Sequence, residues 1–215
     1  MPLTLQQLLM RLTLVPVLVA GIIGFIRYRH LPLNLRYLAG LVWFVLPIEI
    51  LGLVLLILHR NNLFLMPIYM VGETALLGLV YRHTLQSRFF NRLMPWVVGG
   101  FALYAVADTL WAENLTRFRP GQQVLQAVLV LGFVGLYFRK LLNELQVPHP
   151  TREPMFWVST GLFIYFLGYL QIALFSNYLL HYSRQLNHNI WAVHSLLYVV
   201  LHGCFSYALW LRPQK

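Results

Sequence analysis

The sequence is poor in acid, in lysine and in thiol. Asp and Glu together number six against sixteen Lys and Arg, and only Lys140 and Lys215 among those cations are lysines. Charged residues make up 10% of the chain and apolar ones 59%, whereas about a quarter of a soluble domain is charged. A soluble core of this size cannot hide so much apolar surface, so lipid is the expected solvent. The single cysteine, Cys204, excludes an intrachain disulfide and a cysteine-rich metal site. Lysine is missing from the last apolar segment, which excludes a retinal Schiff base there. No Asp-Arg-Tyr closes the third segment and no Asn-Pro-x-x-Tyr lies in the seventh, which argues against an animal G-protein-coupled receptor. The last segment has no His-x-x-x-His pair, the mark of seven-helix zinc hydrolases.

What is present is a set of seven apolar segments, at about 8–27, 37–58, 63–81, 95–112, 121–140, 154–177 and 188–211. Each is close to the roughly 20 residues that span a bilayer. The expected fold is therefore an all-α membrane protein, a single-domain, seven-transmembrane up-and-down helix bundle covering residues 1–215. The basic residues give its orientation. Arg27, Arg29, Arg36, Arg82, Arg88, Arg92, Arg139, Lys140, Arg152, Arg212 and Lys215 belong to alternate connections and the C-terminal tail. Only Arg11, Arg60, Arg117, Arg119 and Arg184 belong to the other side. The positive-inside rule then places the N-terminus outside and the C-terminus inside, with a bacterial inner membrane as the expected location. The net charge of +10 reads as this topology signal. Its cations are scattered through short loops, which suits anionic lipid headgroups and not nucleic acid. The first apolar run lacks a basic leader region and a small-residue cleavage site, so it reads as a retained helix. Pro95, Pro120 and Pro154 suit first helical turns, and Pro16 and Pro47 predict kinks. Trp96, Trp157 and Trp210 suit the inner interface, Trp111 and Trp191 the outer one.

Ionisable side chains inside a membrane are costly and so are functional candidates. Glu49 and Glu73 each lie about twelve residues from the turn near Asn61–Asn62, roughly 18 Å at 1.5 Å per residue. That puts both near the midplane on antiparallel neighbours. If they face each other they cannot both ionise cheaply; one is protonated, or a cation sits between them. The plain alternative is an interhelical hydrogen bond. A second polar layer is expected nearer the outer face: Tyr69, Asp108, Gln126, Gln171 and His194, with Tyr104, Trp191 and Tyr198 on the same helical stripes. Aromatic walls with a few convergent polar groups are the make-up of small-molecule pockets. His194 and His202 are eight residues apart, about 12 Å along a helix and too far for one mononuclear metal, so no metal and no cofactor are expected.

Three stretches carry a resemblance: Asn62 to Tyr69 with Glu73, Phe156 to Tyr178, and Trp191 to Trp210. Together they resemble a family of short seven-helix membrane proteins common in Bacteroidota. They are also similar to the membrane-sensing portions of some bacterial histidine kinases. The resemblance implies Tyr69, Glu73, Phe156, Asn177, Trp191 and His194 as signature positions and supplies no chemistry. The expected function is a receptor-like or sensory module that binds a small or lipidic ligand in an outward-facing pocket and signals to a separate cytoplasmic partner. The alternatives are a proton- or cation-coupled carrier using Glu49 and Glu73, and an intramembrane enzyme acting on a lipid. No catalytic residue is assigned.

Overall fold

In the computed structural model the described residues are 12–111, 120–143, 150–182 and 184–211, with backbone only for those within 175–188. They form seven α-helices and no strand: α1 (Leu14–Arg27), α2 (Leu33–Ile57), α3 (Leu65–Leu85), α4 (Arg88–Leu110), α5 (Pro120–Asn143), α6 (Pro154–Tyr182) and α7 (Arg184–Trp210). Short 3₁₀ turns at Tyr28–His30 and Pro150–Arg152 precede α2 and α6. Five helices, α2, α4, α5, α6 and α7, have stretches long and apolar enough to cross a membrane. The described part of α1 is 14 residues. In α3, Tyr69, Glu73, Thr74 and Tyr81 dilute the apolar run, and Glu73, Thr74 and Tyr81 are turned inward, each at most 3% exposed. The outward faces suit lipid: Phe25, Leu103 and Leu110 are more than 70% exposed, and a patch of such side chains in water would drive association.

Helix ends depart from the apolar runs where capping decides. α4 begins at Arg88, seven residues before Pro95, because the Ser87 hydroxyl accepts from the Phe90 N–H (3.5 Å). Pro95 is therefore inside α4, as Pro47 is inside α2. Pro16 instead falls in the first turn of α1, where its missing N–H is no loss. Pro120 and Pro154 open α5 and α6. α3 ends at Gln86, in the left-handed conformation (φ 51°), and turns straight into α4.

Six of the helices close into a ring: α1 packs on α2, α2 on α3, α3 on α5, α5 on α6, α6 on α7, and α7 back on α1. α4 stands outside the ring, against α3 and the start of α5. Cation-to-carbonyl bonds tie the ring at one end. The Arg27 guanidinium donates to the carbonyls of Leu209 (2.9 Å), Trp210 and Leu211 (3.2 Å), capping α7 from the end of α1. The Lys140 ammonium caps α3 in the same way, at Thr84 (3.1 Å) and Leu85 (3.2 Å). A cation at a helix C-terminus also opposes the negative end of the helix dipole. The face where α1, α3, α5 and α7 end is called the basic face below, and the opposite one the N-terminal face. Close approach elsewhere relies on small residues. A Cβ at Gly72 would lie 2.1 Å from the Phe44 ring, and one at Gly168 would lie 2.5 Å from Leu197.

Candidate functional site

Four ring helices change character along their inward stripes. On α2 the stripe runs from Leu38, Leu41 and Val45 to Glu49. On α3 it runs from Tyr81 and Leu77 to Glu73 and Tyr69. On α6 it runs from Leu162 to Tyr165 and Tyr169, and on α7 from Phe205 and Leu201 to Tyr198 and His194. The change falls at one depth. Glu49 and Glu73 are each eight positions from their helix ends, at Ile57 and Leu65, or about 12 Å along the axis. Above that level, toward the N-terminal face, the ring encloses a cavity of about 580 Å³, within the range of small-molecule sites. At that end its lining reaches Thr13, Leu56, Asn62 and Leu63 at helix ends. Below it, Val45, Leu77, Leu162 and Leu201 are at most 2% exposed and belong to one continuous buried cluster that reaches the basic face.

The polar groups in the cavity wall are arranged in two short chains. Tyr69 Oη donates to Glu73 Oε1 (3.3 Å) and Gln126 Nε2 donates to Glu73 Oε2 (2.7 Å), so both carboxylate oxygens have a donor. Gln126 also reaches the Met70 carbonyl (3.4 Å). Glu49 Oε1 accepts from Tyr198 Oη (3.0 Å), linking α2 to α7. The two glutamates thus face one cavity and take different partners. His194 Nε2 shares a hydrogen bond with Tyr165 Oη (3.1 Å). Rings fill the rest. Tyr165 stacks on Tyr169 (5.6 Å between centroids, 10° between planes), and His194 lies 5.3 Å from Tyr169 and 5.5 Å from Trp191. Among the described residues, no group of three or more His, Cys, Asp or Glu is placed to hold a metal ion.

Of the residues singled out in the sequence, Glu49, Tyr69, Glu73, Gln126, Trp191, His194 and Tyr198 line this cavity. Tyr104, Asp108 and Gln171 do not. The first two sit on α4, which α3–α5 packing excludes from the ring. There they join α4 to α5: Gln122 Nε2 donates to Asp108 Oδ2 (2.6 Å), and the Tyr104 hydroxyl occupies the space beside Gly121. Gln171 is exposed because the buried stripe of α6 is Leu162, Tyr165, Phe166, Tyr169 and Ala173. Position 171 falls about 200° from 169 at 100° per residue, on the far side of the helix. Sequence reading passed over Tyr165 and Tyr169 as wall residues, although their spacing of one turn was the available signal. The Asn177 side chain lies outside the described residues.

No family model, curated protein or solved structure matches the chain. The site therefore has to be read from its own chemistry. Carboxylates beside tyrosine hydroxyls can hold a hydrogen-bond donor or a positive charge. His194 is bonded to Tyr165, and among the described residues no carboxylate is bonded to it.

Proposed function

We propose that this chain is a receptor-like sensory membrane protein whose ligand enters the aromatic cavity from the N-terminal face. In this reading all seven helices cross the membrane, the N-terminal face is outside and the basic face is cytoplasmic, in a bacterial inner membrane. The cationic loops carry the orientation. Signalling would pass to a separate partner at the basic face, where Arg82, Arg88 and Arg92 are exposed and suit acidic side chains or lipid phosphates.

The observation that carries this reading is the cavity's asymmetry. Its lining runs to the helix ends of the N-terminal face, and a layer of fully buried aliphatic side chains separates it from the basic face. A carrier needs both carboxylates within reach of each face in turn, whereas a receptor needs a pocket with a floor. The floor is also a route for the signal. Tyr198 joins the wall to α2 through Glu49, and one turn further along α7 the buried His202 ring lies against Tyr198, 4.3 Å between centroids. A ligand that displaces Tyr198 would thus shift α7 against α2. Proteoliposomes loaded with a pH-sensitive dye test the choice. The receptor reading expects no proton or sodium flux above that of empty liposomes. A flux that Glu73→Gln abolishes would replace it with the carrier.

A further inference from the structure

Among the described residues, the cavity wall holds two carboxylates and no Lys or Arg, although cations outnumber acids in this chain sixteen to six. Among the described side chains, the cation on the cavity's side of the molecule is Arg60, exposed beyond the end of α2 and not part of the wall. Much of the remaining surface is aromatic, with Tyr165 and Tyr169 stacked on each other and His194 between Tyr169 and Trp191. Building on the receptor reading above, we infer that the ligand is an organic cation: a protonated or quaternary amine carrying an apolar portion. An ammonium group would sit beside Glu49, which among the described residues accepts a hydrogen bond from Tyr198 alone, with its alkyl substituents against ring faces that attract positive charge. The apolar portion would fill the space toward Met66 and Phe166.

Other ligand classes fit less well. A bare divalent cation takes six to eight oxygens at about 2.3–2.6 Å if calcium, or a near-ideal octahedron if magnesium. This wall offers rings and thioethers in their place, and its volume of about 580 Å³ exceeds an ion's needs many times over. An anion would meet two acids and, among the described residues, no cation. A neutral lipid would fill the volume but would draw nothing from the charge that either carboxylate can carry.

The test uses the full chain in lipid nanodiscs and three probes of one shape: benzyltrimethylammonium, its neutral carbon isostere neopentylbenzene, and the anion phenylacetate. Binding is read as a dose-dependent rise in melting temperature. The cation is expected to bind about tenfold or more tightly than the isostere, and the anion to give no shift. Because this comparison is made on the unmodified chain, it does not depend on any variant folding. Glu49→Gln should then remove the preference for the cation while leaving binding of the neutral isostere intact. Equal binding of cation and isostere, or tighter binding of the anion, would overturn the assignment of charge and leave the ligand-pocket reading standing. No shift with any of the three would overturn both.

Discussion

Toward the basic face, the space between ring helices is filled by Leu38, Leu41, Val42, Leu77, Val80, Leu162, Leu201 and Leu209, none more than 1% exposed. Toward the N-terminal face the same helices carry Glu49, Glu73, Tyr165, Tyr198 and His194 around an empty volume. Packing is the main force between helices where lipid tails are as apolar as leucine. The filled half therefore holds the ring together, and the hollow half gives up packing for a site. Each helix makes the switch within about one turn, so stability and binding are separable by position along a helix.

The largest expected effects lie in the filled half. Leu201→Ala should destabilise the chain by about 2–3 kcal/mol through the void it leaves, read as loss of denaturant resistance in nanodiscs. Leu56→Ala, the same change at the cavity's N-terminal end, should cost about 1 kcal/mol or less, since half of that side chain is already exposed. If the two costs were equal or reversed, the division between halves would fail. Gly72→Leu should be comparable to the first, at about 2 kcal/mol, because its Cβ would fall within the Phe44 ring; Phe44→Leu in the same chain should recover part of the loss. Tyr198→Phe removes the hydrogen bond to Glu49 and should cost about 0.6–1 kcal/mol, a usual value for such bonds between membrane helices. It should weaken the link of α2 to α7 more than its stability cost suggests, visible as a changed signalling response. The smallest effect belongs outside the ring. Asp108→Asn should leave ligand binding unchanged, because Asp108 is no part of the cavity wall, whereas Glu73→Gln should diminish it.

Much of this arrangement was legible in the sequence, because apolar length and period are set by lipid and by helix geometry. Each of the seven helices lies where an apolar segment predicted one. The boundaries moved where something other than hydropathy decides: the Ser87 cap carries α4 back to Arg88, through a polar stretch that reads as a loop. The equal depth of Glu49 and Glu73 followed from counting residues to a turn. The place of α4 did not. Depth puts Asp108 level with His194, but only the choice of neighbours decides whether a residue looks into a ring or stands outside it. That choice rests on the α3–α5 contact around Gln126 and Glu73, made between residues 53 positions apart. The direction of Gln171 failed for a simpler reason: depth was weighed and the 100° rotation per residue was not.

The central claim is a site open to the N-terminal face and sealed from the basic one. Single cysteines placed in a Cys204→Ser background address it, using a thiol reagent that cannot cross membranes, applied to one side at a time. Ser195→Cys in the cavity wall should react from the N-terminal side and be protected by a bound organic cation, while Ala208→Cys, in the filled half, should be inert from that side. Labelling of Ser195→Cys from the basic side would contradict the account, since it would require a path through the floor formed by Val45, Leu77, Leu162 and Leu201.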